Sequence, residues 1–229
     1  GDGPDITYIN SPNQHLPILV QRDQILMLDD LIANSEILSN IDKKYFDYTA
    51  VDGHYYSIPD NIFRGKIMFG RKDIYDELGL EFSSTPSIKK FYNDLVTIRD
   101  KKGIVPYTMN EWIEDFQFIL SSFGATIEII KDENGVFYDG FNTQEMRDGL
   151  DFMAKLYREG LFDPEFAVNK LETARTKMIT GEAVVMVEYS TRMDRFYTAA
   201  ESDGYPEAVY SPIYEIKGPN GEGEPYNLG

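Results

Sequence analysis

The sequence contains no cysteine. That excludes disulfides, thiol nucleophiles and thiolate metal sites. It has two histidines, His15 and His54, and no nucleophile is arranged around either. Each reads as a surface or strand histidine. No H-E-x-x-H, phosphate-loop or G-x-G-x-x-G pattern occurs. The Gly70-to-Gly79 spacing falls on a helix pattern, far from a phosphate loop. No apolar run approaches the roughly 18 residues of a membrane-spanning helix, and no secretory signal is present. Positive charge is scarce: 22 Lys and Arg stand against 39 Asp and Glu, a net charge of −17. This balance argues against nucleic acid or an anionic membrane as partner. Its plainer meaning is solubility.

What the chain does have is core material. Its 229 residues are 42% hydrophobic, enough for one large domain or two small ones. There are 16 Tyr and 14 Phe but a single Trp, Trp112. Aromatic rings pack cores by default, and they also stack on flat ligands such as sugar rings.

The opening Gly-Asp-Gly-Pro runs into Asp5-Ile6-Thr7-Tyr8-Ile9, which reads as a buried strand. A loop feeding a strand implies an element before it, so the chain reads as an excerpt. Ser11-Pro12 reads as a helix start, with Ser as N-cap and Pro in the first turn. Ile37, Ile41, Tyr45 and Tyr48 recur at helical spacing over about 36–50. Asp52-Gly53 is a hairpin-turn dipeptide, leading to a strand over 54–58.

Ile67-Met68-Phe69 reads as a strand, followed by a helix from Lys72 that Gly79 ends. Thr85-Pro86-Ser87 opens a helix carrying Phe91, Leu95 and Ile98, and Ile104–Tyr107 is a short strand. A helix is expected over 112–123. A hairpin turns at Asp132-Glu133-Asn134-Gly135, which lacks the ligand spacing of a calcium loop. Thr143 caps a helix with Met146, Leu150, Met153 and Leu156 or Tyr157 on one face. Another helix spans about 170–180. The apolar run Ala183–Val187 reads as a strand buried on both faces. A helix over 191–200, a strand near Val209 and a loop-like tail complete the chain. Strands alternating with helices predict an α/β architecture.

The chemistry lies in loops just beyond strand ends. Asn10, Ser11 and Asn13 follow the first strand, and Asp60 and Asn61 follow the 54–58 strand. Asn110, Glu111 and Trp112 follow the strand ending at Tyr107. Glu188, Tyr189 and Arg192 follow the 183–187 run. Ligands of open α/β sheets sit outside the carboxyl ends of strands. Amides and carboxylates hydrogen-bond vicinal hydroxyls, and Trp or Tyr covers the apolar face of a sugar ring. Ordinary capping and turn chemistry is the competing reading of each loop.

The order of motifs resembles the extracellular solute-binding proteins of bacterial ABC importers, the carbohydrate-binding, lipoprotein-type group. The matching stretches are Gly1–Ile6, then Val51-Asp52-Gly53-His54-Tyr55-Tyr56-Ser57-Ile58-Pro59. Phe69–Leu80 follows, with Ser84-Thr85-Pro86. The last two are Tyr157-Arg158-Glu159-Gly160-Leu161-Phe162-Asp163-Pro164-Glu165-Phe166 and Met178–Ala183. Each alone is turn and helix-stop chemistry, and the order is what makes the set specific.

The resemblance implies a two-lobed, type II periplasmic-binding-protein-like fold, incomplete in lobe one. It places part of lobe one at 1–62, lobe two at 63–205 and a return segment at 206–229. It implies a binding protein with no catalytic residue, no metal and no cofactor. Such a protein captures a sugar or oligosaccharide between its lobes and delivers it to a membrane permease. The parent would be extracellular and lipid-anchored. Lobe one would present Asn10, Ser11 and Asn13, and the crossover Asp60, Asn61 and Arg64. Lobe two would present Asn110, Glu111, Trp112 and Glu114, with Glu188, Tyr189 and Arg192. Competing readings are a peptide or polyamine binder of the same fold, a carboxylate-pair glycoside hydrolase, and a surface sensor module.

Overall fold

The computed structural model describes residues 4–59 and 65–219. Contacts divide the chain into two compact units, Gly1–Phe63 and Arg64–Gly229. Among the described residues no helix is long and apolar enough to cross a membrane.

The first unit holds short helices: α1 (Pro12–Gln21), α2 (Asp29–Ala33) and α3 (Lys43–Asp47). Among its described residues, Leu16, Ile32 and Phe46 are the buried apolar side chains. The expected opening strand is absent. Ile6 and Tyr8 are 90% and 69% exposed, and among the described residues none forms a strand beside 5–9 to supply ladder hydrogen bonds. Ser11 precedes α1 as expected, yet it adopts φ +55° and its hydroxyl makes no capping bond.

The helix expected over 36–50 is broken in two. Ile41 is extended, and the Asp42 carboxylate accepts from Lys44 N at 3.1 Å, starting α3 afresh. Asp52 and Gly53 turn with φ +52° and +82°, and Val51 and His54 exchange both backbone bonds across them. The following strand does not form. Tyr55 N donates to Asp29 Oδ1 at 2.8 Å, and Tyr55 O accepts from Leu28 N at 2.7 Å. The N-terminus of α2 thus takes the bonds that a sheet partner would have used.

The second unit is built on an antiparallel sheet of order β4–β1–β5. Its strands are β1 (Lys66–Arg71), β4 (Val185–Tyr189) and β5 (Tyr210–Ile213). The stretch from 206 therefore contributes the third strand of this unit's sheet. Beyond β4 the sheet continues as parallel bridges from Tyr107 to Val185 and to Phe162. Of the strand expected over 104–107, only this bridging remains. A separate hairpin pairs β2 (Ile129–Lys131) with β3 (Phe137–Asp139). Asp132 Oδ1 accepts from Asn134 N and Val136 N to close its turn.

Alternation along the strands feeds two cores. Met68, Val185, Val187 and Ile213 pack with Phe91, Leu95 and Ile98 of α5 (Ile88–Lys102) and with Met153 and Leu156 of α7 (Gln144–Arg158). Met186 and Tyr210 pack with Ala174 and Met178 of α8 (Leu171–Thr180) and Phe196 of α9 (Met193–Ser202). Leu95 and Ile98 are fully buried, each contributing about 1.5–3 kcal/mol.

Helix ends follow local chemistry. Ser87 and Thr143 accept from Lys90 N and Met146 N to start α5 and α7. Gly103 and Gly181 close α5 and α8 at φ +68° and +79°. On α7, Leu150 and Tyr157 stay 42% and 46% exposed, so the buried stripe is narrower than expected. α4 (Lys72–Glu77) follows β1 directly. The helix expected over 112–123 is a 3₁₀ turn (Ile113–Phe116), α6 (Gln117–Leu120) and a second 3₁₀ turn.

Candidate functional site

Because β1 and β4 run antiparallel, the carboxyl end of β4 meets the amino end of β1. Lys66 stands opposite Tyr189 in the register, and Ser190 N donates to Gly65 O at 3.0 Å. The segment ending at Asn110 arrives at the same edge: Val184 N and Val185 N donate to Pro106 O, and Thr108 N donates to Val185 O.

At this edge the Lys66 ammonium is buried and donates to the Asp115 carboxylate. It also lies 4.6 Å from the Trp112 ring centroid and 5.3 Å from that of Tyr189. One cation thus holds a carboxylate and two rings. Burial pushes the Asp115 carboxyl up to about 6, against the pull of Lys66 and with a smaller push from the Glu188 and Glu114 charges.

Glu188 is 1% exposed. Its carboxylate accepts from Arg175 Nε at 2.6 Å and from Tyr189 N at 2.8 Å. Arg175 also pairs with Glu172 one turn away on α8. Glu111 pairs with Lys170 at 2.8 Å. Asn110 is 1% exposed, and both polar atoms of its side chain lack a partner among the described residues.

Asp163 positions this rim from below. Its carboxylate accepts from Thr108 Oγ1 (2.7 Å), Asn169 Nδ2 (2.9 Å), Lys177 Nζ (2.8 Å) and Glu165 N (3.0 Å). Burial alone would raise its pKa, but the bonds from Lys177, Thr108, Glu165 N and Asn169 outweigh it and hold the carboxyl below its ordinary value. Asn169 Nδ2 also donates to Met109 O, and Glu111 N donates to Asn169 O. The Phe162-Asp163-Pro164 turn is therefore the brace under Asn110 and Trp112.

The expected residues divide by unit. Asn10, Ser11 and Asn13 are exposed at the start of α1 in the first unit. Asp60, Asn61 and Arg64 lie outside the described residues. Trp112 and Tyr189 meet at Lys66, and Asn110, Glu111, Glu114 and Glu188 lie on the same two segments. Arg192, half-buried, ends a 3₁₀ turn after β4. Lys66, Asp115 and Arg175 were not foreseen. Lys66 opens a strand, whereas the open-sheet rule points to strand carboxyl ends, and only the antiparallel register puts the two together.

No family model matches the chain. Lipoprotein LipO of Bacillus subtilis (strain 168) is 27% identical over 199 residues, 81% of this chain and 39% of that protein. An uncharacterized ABC transporter extracellular-binding protein of Pyrococcus horikoshii is 22% identical over 193 residues, 81% of this chain and 42% of its own length. Among solved structures, the maltose-bound MalE3 of T. maritima aligns with a TM-score of 0.68 at 20% identity, over 87% of this chain and 50% of that one. The fold is that of the solute-binding proteins of ABC importers. Within this type II periplasmic-binding-protein fold, the chain spans about two fifths of the curated relatives' length. The resemblance read from the motif order therefore holds for the fold.

Proposed function

We propose that the chain is part of the extracellular substrate-binding component of an ABC importer, capturing a sugar or oligosaccharide and delivering it to a membrane permease. The observation that carries this reading is the rim of the second unit. Two rings and a buried amide with no partner among the described residues stand beside carboxylates that are already matched by cations. Lys66 fills the cation seat between Trp112 and Tyr189, Arg175 neutralises Glu188 and Lys170 neutralises Glu111. A neutral polyhydroxyl ligand suits such a rim better than a polyamine, whose charge would have to displace Lys66. The maltose in the T. maritima structure supports the same class.

The ligand-contacting set in this proposal is Asn110, Glu111, Trp112, Glu114, Glu188, Tyr189 and Arg192. Asn10, Ser11, Asn13, Asp60, Asn61 and Arg64 supply the first lobe's and crossover's share. Surface attachment through a lipid belongs to the same proposal, supported by the lipoprotein name of the Bacillus relative. Binding without turnover is the expected mode. Asp115 and Glu188, the buried carboxylates of this edge, are locked in pairs with Lys66 and Arg175. A hydrolase needs, besides an acid, a second carboxyl free to attack or take a proton, and Glu188 beside Asp115 is already held by Arg175 and Tyr189 N.

The test is a thermal-shift screen against mono- and oligosaccharides, peptides and polyamines. A bound ligand raises the melting temperature by mass action. A shift with one sugar class, and intact sugar after overnight incubation, is expected. A shift with polyamines alone, or released product, would overturn the reading.

A further inference from the structure

We propose that Lys66 is a positioning residue that sets the Trp112 and Tyr189 rings for the ligand before it arrives. The inference rests on the proposed function for what the rings do, and on geometry for how they are held. The Lys66 side chain is only 6% exposed and its Asp115 partner 2%, so the ammonium has exchanged water for one carboxylate and two ring faces. A lysine held this way has one placement, fixed by the backbone register to Tyr189 and by the bond to Asp115 on the 3₁₀ turn after Trp112.

Each ring turns a face to the ammonium, and that face is closed to a ligand. Trp112 nevertheless remains 39% exposed and Tyr189 half-buried, so each ring keeps surface for a sugar. Rings fixed in advance need not be ordered on binding. Freezing a mobile side chain weakens association, so releasing both rings corresponds to about tenfold in affinity. A Lys66 whose role is only to stabilise the sheet edge would leave the rings where they are.

The single Trp makes this directly readable, because all indole emission reports Trp112. The variants are Lys66→Met, Lys66→Arg, and the double variant Lys66→Met/Asp115→Leu. The double variant removes both charges together, so neither is left buried alone if Lys66→Met by itself fails to fold. Emission maximum and anisotropy are measured in the ligand-free full chain, with circular dichroism as the check on folding. The dissociation constant follows, for whichever sugar shifts the wild type in the thermal screen.

The expected result is a folded double variant with lower Trp112 anisotropy, a shifted emission maximum and about tenfold weaker sugar binding. Lys66→Arg, which keeps the cation over the rings, should hold the anisotropy near wild type. Unchanged anisotropy and emission in the folded double variant would overturn the proposal. If no sugar binds the wild type, the functional reading fails, while the ligand-free anisotropy still decides the clamp.

Discussion

Lys66 and Tyr189 face each other across the antiparallel register of β1 and β4, and the Lys66 ammonium sits 5.3 Å from the Tyr189 ring centroid. The same ammonium reaches Trp112 and Asp115. Asp115 holds its proton up to about pH 6 in the folded chain, against an ordinary value of 3.8. Its ionisation therefore costs folded-state stability as the pH rises from about 4 toward 6. Trp112 emission should titrate with a midpoint of about 6 as the charge beside Lys66 changes. Asp115→Asn should abolish that transition, and a fluorescence titration of the two proteins checks it.

If the rings stack on the ligand, Trp112→Ala and Tyr189→Ala should each weaken sugar binding about fivefold or more, on the order of 1 kcal/mol. Calorimetric titration of the folded variants measures this. Unchanged affinity in a folded double mutant would remove both rings from the site.

Asp163→Ala should cost about 1–3 kcal/mol, because it removes the acceptor of the buried Thr108 and Asn169 side chains, while half-buried Lys177 keeps Glu165. Denaturant unfolding gives the value. The sign of the pH effect follows from the lowered pKa. The carboxylate's contribution is complete above the ordinary value of 3.8 and is lost as the pH falls through the lower folded value. The stability gap between wild type and Asp163→Asn should therefore narrow below about pH 4.

Gly140 joins the β2–β3 hairpin to α7. An added Cβ there would meet Thr126 O at 2.3 Å and Glu128 O at 2.7 Å, both backbone atoms. Gly140→Ala should cost about 1–3 kcal/mol, read as a lowered melting temperature. Gly160→Ala is a useful contrast. No atom lies within 4 Å of the added carbon, and only the strain of φ +66° remains.

Where local chemistry decides, the sequence was a good guide. The Ser87 and Thr143 caps and the glycine stops bound α5, α7 and α8 closely, and the apolar run before Glu188 is the buried strand it resembles. The first unit was less legible. Ile6 and Tyr8 alternate like a strand but have no strand partner among the described residues, and Asp42 and Asp29 redirect the backbone by accepting its N–H groups. At the candidate site, Asn110 and Trp112 were visible as polar and aromatic residues beyond a strand end, whereas Glu188 and Tyr189, expected after the strand, are the last two residues of β4. Lys66 and Arg175 were not visible, because their roles come from an antiparallel register and from a helix packed beside β4. Neither leaves a trace in local spacing. Asp163 appeared only within the Tyr157–Phe166 motif, read as turn and helix-stop chemistry, although it holds Thr108 and Asn169 beneath the rim.

The central claim is that the second unit's rim receives a sugar, and its most direct test is titration of the sole Trp. Maltose, a longer maltooligosaccharide, a chitooligosaccharide and a polyamine are each added to the chain while Trp112 emission is followed. The account predicts a saturable change with one saccharide class, shifted to about fivefold or more higher concentration in Tyr189→Ala, and no change with the polyamine. A saturable response to the polyamine and none to any saccharide would contradict it.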